Sequence, residues 1–124
     1  MEMLFAAHSG IRYLVLFTGL IALAWFAWGK ASGRPFTRPA TALLAAFIGV
    51  LDIQALLGLG LLIGGYRPPE IWGHVVLMIA AVAFAHGMSR RRKRAPGYGV
   101  PLLAVAGALA LIVVGILSIG RPIL

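Results

Sequence analysis

His8, His74 and His86 are the residues of this chain best suited to chemistry, and each stands in or beside a helix-length run of apolar residues. Ionisable groups are costly inside a membrane span, so each one found there is a functional candidate. Arg12, Asp52, Gln54 and Arg121 complete the polar set. His8 and Arg12 are four residues apart and share one face if the first helix begins early enough to include His8. His74 lies just inside the start of the third apolar run, and Arg121 just beyond the end of the fourth. Antiparallel helices would bring His8, Arg12, His74 and Arg121 to similar depth. Two neutral imidazoles from different helices are what the axial positions of a b-type haem need, and arginines pair with its propionates. Gly58 and Gly60 fall where a macrocycle edge could approach the second helix. The plainer reading of His8 and His74 is interfacial hydrogen bonding to headgroups, water or backbone.

Asp52 is deep in its apolar run, about twelve residues or ~18 Å from either end at the helical rise of 1.5 Å per residue. A proton-relay carboxyl, an acceptor that orients a ligand such as a quinone, and a structural hydrogen bond to a neighbouring helix are the readings open to it. Gln54, two residues on, points to another face. His86 is twelve residues from His74, ~18 Å along the axis, and finds no second histidine at its own level. The chain alone can therefore build one bis-histidine site, which leaves His86 a structural or proton-exchanging role. A proton or solute carrier built on Asp52, Gln54 and His86 is a lesser alternative, since no inverted repeat with broken helices is visible. Ser9, Ser32, Ser89 and Ser118 have no local histidine–carboxylate arrangement, and no phosphate-cradling glycine loop is present. No catalytic motif marks the chain as an enzyme.

The elements that must position these residues follow from composition. The 124 residues are 61% hydrophobic and 11% charged, against about 25% charged in a soluble domain. A chain this short cannot hide so much apolar surface in one soluble core. The absence of cysteine excludes disulfides and thiolate sites. Four runs, about 11–29, 40–64, 71–88 and 101–119, approach or exceed the ~20 residues that cross the hydrocarbon layer. Short connections join them, so the expected fold is an all-α, integral membrane, antiparallel four-helix bundle in a single domain. A signal peptide would place positive charge ahead of its apolar core, whereas here Glu2 precedes it and Lys30 follows; the first helix is expected to be retained.

Eight of the eleven basic residues, Lys30, Arg34, Arg38 and the run Arg90–Arg94, fall in the first and third loops. Arg12, Arg67 and Arg121 fall on the other side. The positive-inside rule makes those two loops cytoplasmic and both termini external. Trp25, Trp28 and Tyr98 would mark the inner interface, and Tyr13, Tyr66 and Trp72 the outer one. Arg90–Arg94 reads first as an anchor on anionic headgroups, then as a docking surface for a partner. Nucleic acid is a poor reading, because no aromatic-bearing domain accompanies the charge. Gly60 with Gly64, and Ala106 with Ala110, have small-xxx-small spacing, which suits packing within the bundle, a homo-oligomer contact or a flat cofactor.

The segments HSGIRYLVL (8–16), LDIQALLGLGL (51–61), HVVLMIAAVAFAH (74–86) and GRPIL (120–124) together resemble a family of small bacterial four-helix membrane proteins described as cytochrome b-like. The resemblance spans essentially the whole chain. It implies a haem-bearing or haem-derived electron-transfer subunit near the respiratory chain, in the bacterial inner membrane. His8, Arg12, Asp52, Gln54, His74, His86 and Arg121 match the family's marked positions. A cofactor-free accessory or scaffold subunit of a larger respiratory or photosynthetic complex is the alternative from another class.

Overall fold

The structure, a computed structural model, describes residues 2–94 and 97–120. The described residues form four α-helices: α1 (Glu2–Ala31), α2 (Arg38–Ile63), α3 (Ile71–Arg91), which runs on into a single 3-10 turn (Arg92–Arg94), and α4 (Gly99–Ser118). Each is long and apolar enough to cross a membrane, the arrangement of a multi-pass membrane protein.

The described prolines lie at helix starts and in turns, not in helix interiors. Pro39 lies in the first turn of α2, where Thr37 caps the end by accepting from the Ala40 N–H at 3.5 Å, and the missing proline donor is harmless there. Gly65, at φ 102, takes the left-handed conformation that turns the chain out of α2. Pro68 and Pro69 then prevent a helix until Ile71. At the other end α1 begins at Glu2, nine residues before the expected start at 11. The run Met3–Ala7 contains no breaker, and Glu2 suits the positive end of the helix dipole. The consequence is functional: His8 lies inside α1.

Packing follows small residues. Ala22, Ala40, Ala81, Ala85, Ala104 and Ala108 are at most 1% exposed, and such residues let helices approach closely in lipid. Of the expected pairs, Gly60 receives the Leu4 side chain of α1, but its partner and the α4 pair are not buried. Ala110 is exposed and Gly64 caps α2, while Ala104 with Ala108 supplies the buried small-residue spacing on α4. Outward-facing side chains are apolar as well, with Leu56, Ile63 and Val76 each about two-thirds or more exposed. In water such a surface would be an aggregation patch; in lipid it is the solvent-facing side.

Laterally the helices run α2, α1, α4, α3, since α1 packs on both α2 and α4 and α3 packs mainly on α4. α2 and α3 meet only sparsely, which leaves a seam between them. The two halves of the bundle along its axis differ. Near the 31–38 and 91–98 connections the core is solid: Phe26 and Phe47 are wholly buried, and Phe26, Phe36 and Tyr98 stack with centroids 5.1 to 5.6 Å apart. Tyr98 is only 3% exposed. It is a core aromatic, not part of an interfacial belt, because its ring fills the space beside the side-chain-free Gly29. Trp28, Tyr13, Tyr66 and Trp72 are exposed as a belt requires. Near the 64–70 turn the bundle is hollow.

Candidate functional site

The hollow half holds a cavity of about 740 Å³ lined by all four helices, among them His8 and Arg12 from α1, Asp52, Gln54 and Gly58 from α2, His74 and Met78 from α3, and Ile112 and Ile116 from α4. That volume is of the size that takes a cofactor or drug-sized ligand. The lining is apolar apart from a few polar groups.

His8 is held by a reciprocal clamp. Its Nδ1 lies 3.1 Å from the Gln54 carbonyl oxygen, and the Gln54 side-chain amide donates back to the His8 carbonyl at 2.7 Å. The ring reaches α2 because Gly58 has no side chain: a Cβ there would stand 3.0 Å from His8 Cε1. His74, on the opposite wall, is held through Nδ1 alone, 3.0 Å from the Gly115 carbonyl oxygen. Gly115 also makes room for the Met78 methyl and lies against the His74 ring. A carbonyl oxygen can only accept, so Nδ1 is the donor in both rings. In a neutral imidazole that leaves the lone pair on Nε2.

The two rings stand with centroids 6.4 Å apart and planes at 89°. A metal–imidazole bond of about 2 Å puts each ring centroid about 3 Å from the metal, so two axial imidazoles span about 6 Å. Donation of Nδ1–H to a backbone carbonyl is the outer-shell contact that fixes the tautomer of a ligating histidine. Among the described residues three buried side-chain polar atoms find no hydrogen-bond partner, Arg12 Nε, Gln54 Oε1 and Arg92 Nε; the first two belong to residues that line the cavity. Buried polar atoms are rarely left unsatisfied in a finished site. Arg12 also donates to the Tyr13 hydroxyl at 2.8 Å.

Asp52 and His86 form a second group. His86 Nε2 lies 2.8 and 3.0 Å from the two Asp52 carboxylate oxygens, across the α2–α3 seam. The two residues are expected together only in the carrier alternative, yet a signal for their direct contact exists in the sequence. Counting outward from the 64–70 turn along antiparallel helices brings Asp52 within about one helical turn of His86.

The residues proposed from sequence therefore divide. His8, Gln54 and His74 converge, Arg12 lines the same cavity, and Asp52 joins His86 at its edge. Arg121 lies outside the described residues. Gly58 and Gly60 leave no bare surface for a macrocycle edge, since Gly58 receives the His8 ring and Gly60 the Leu4 side chain. Gly115, absent from the expected site, belongs to the His74 mount through its carbonyl, while its missing side chain makes room for the Met78 methyl. Ser32 donates to the Trp28 carbonyl, far from the cavity, whereas Ser118 donates at 2.7 Å to the Gly115 carbonyl, the oxygen that also accepts from His74. Among the described residues no group of three or more histidine, cysteine or acidic side chains gathers to hold a metal ion.

Comparison with known proteins returned no match, whether with family models, curated proteins or solved structures.

Proposed function

We propose that this chain is a membrane b-type cytochrome-like electron-transfer subunit that holds one haem between His8 and His74. The observation that carries the reading is the pairing of two imidazoles across a cavity, each with Nδ1 tied to a backbone carbonyl and with centroids 6.4 Å apart. Spacing alone would also suit direct edge-to-face packing of the rings. The hydrogen bonding of both Nδ1 atoms, the size of the cavity and the two orphaned polar atoms in its wall distinguish this pair.

Bound there, a bis-imidazole haem supplies reversible one-electron transfer. The chain's own residues do the rest. The Gln54 and Gly115 carbonyls orient the imidazoles and make them better ligands. Arg12 is placed to pair with a propionate carboxylate, and Arg121 is proposed for the other by its place after α4. Ile112, Ile116 and Met78 make the wall apolar, and an apolar surround is one of the protein's means of setting a potential. The basic loops 31–38 and 91–98 are proposed to be cytoplasmic, with the haem in the outer half of a bacterial inner membrane. Arg90–Arg94 would then meet anionic headgroups.

The test is the ultraviolet–visible spectrum of detergent-purified protein expressed with ample haem, oxidised and dithionite-reduced. A sharp Soret shift with resolved α and β bands is expected. A colourless protein that co-purifies with a larger assembly would instead make the chain a cofactor-free accessory subunit.

A further inference from the structure

The Asp52–His86 pair is out of place for a merely structural contact. It lies at the sparsely packed α2–α3 seam, and its side chains remain 39% and 49% exposed. One turn from Asp52 stands Leu56, 67% exposed, and two turns from His86 stands Ile79, 64% exposed; these faces look toward lipid. An ionisable pair open to hydrocarbon calls for a polar partner. Asp52 also lines the cavity that holds His8 and His74, as do Val82 and Ala83 beside His86, so the seam and the cavity are continuous.

The pair's chemistry selects its partner. Asp52 accepts from Nε2–H of His86, which leaves Nδ1 as the proton-accepting nitrogen of a half-exposed ring. A carboxylate behind an imidazole orients it and stabilises the charge it gains on accepting a proton. A ligand that reaches this point must travel in the bilayer and carry a hydroxyl to donate. It must also be uncharged, since Asp52 repels fatty-acid and phosphate anions. We infer that the Asp52–His86 pair binds the head group of a lipid-soluble hydroquinone, one hydroxyl donating to His86 Nδ1 and the ring facing the cavity. No bond is broken in this binding. The inference rests on the haem reading for its purpose, because a hydroquinone carries electrons, while the binding itself depends on the pair alone.

The experiment uses the full chain in nanodiscs under argon, titrated with a tritiated short-alkyl benzohydroquinone. Saturable binding near one per chain is expected, weakened about tenfold or more in Asp52→Asn and His86→Leu by loss of the oriented acceptor, with the visible spectrum unchanged. The dimethyl ether of the same probe, which has no hydroxyl to donate, should bind the unaltered chain at least about tenfold more weakly, and this arm stands even if a variant fails to fold. Absence of saturable binding to helical wild-type protein would overturn the inference, as would equal binding of the dimethyl ether or equal competition by a long-chain alcohol. A dimer that depends on Asp52 and excludes the probe would overturn it in favour of a second copy covering the pair. A red protein that does not bind the probe leaves the haem reading standing without this one; a colourless protein that binds it does the reverse.

Discussion

At the scale of single residues, the two histidines of the cavity are mounted by the same device. A helix carbonyl, which has a second lone pair to offer, takes the Nδ1–H of each ring, and at His8 the bare Gly58 lets the ring come close to α2. His8→Ala and His74→Ala should each abolish haem binding while far-ultraviolet circular dichroism stays helical; unchanged haem content in either variant would remove that histidine from the site. Gly58→Ala makes a milder demand. Its methyl would meet His8 Cε1 at 3.0 Å, and overpacking of this kind costs roughly 1–3 kcal/mol. The expected result is a lower melting temperature together with a shifted haem midpoint potential, read by redox titration. Gln54→Leu deletes the 2.7 Å bond to the His8 carbonyl, worth about 1 kcal/mol, and should loosen haem retention during gel filtration without abolishing binding.

At the scale of helices, the bundle is two well-packed pairs, α1 with α2 and α3 with α4, joined through α1 and α4. The opposite edge is where α2 and α3 meet sparsely, and Asp52–His86 is the polar contact across it. Asp52→Asn keeps a hydrogen-bonding side chain but removes the carboxylate that accepts from His86 Nε2–H. Spin labels attached at Leu56→Cys and Ile79→Cys, in a chain that otherwise has no cysteine, should report a broader distance distribution across the seam in that variant. An unchanged distribution would show that the seam is held by other contacts.

At the scale of the whole molecule, the solid and hollow halves coincide with the strongly and weakly basic ends. The solid half adjoins Lys30, Arg34, Arg38 and Arg90–Arg94, where Arg34 stacks on Trp28 at 4.2 Å and Arg92 on Phe36 at 5.6 Å. If positive charge sets orientation, the cavity faces outward. Single substitutions Glu70→Cys and Ser32→Cys test this in intact cells. A membrane-impermeant maleimide should label the Glu70→Cys protein directly and the Ser32→Cys protein only after permeabilisation; the opposite pattern would invert the topology.

The sequence by itself determined how many helices there are, roughly where they break and what solvent they need. Those properties are local: hydropathy over some twenty residues, proline and glycine at the turns, and charge confined to loops. It also grouped His8 and His74, with Arg12 and Arg121, at one expected depth, because short loops between antiparallel helices fix axial depth. What it left undecided is how far each helix is turned about its own axis and which helices stand side by side. Apolar residues surround each of these helices almost completely, so no amphipathic stripe marks an inward face. That rotation was decided by tertiary packing of small residues, by Ala104 with Ala108 and not Ala106 with Ala110. Once it was set, Tyr98 turned into the core, Gly58 and Gly115 met the histidine rings, and Asp52 found His86. Helix rotation is a property of the assembled bundle, and a sequence apolar on every side does not encode it locally.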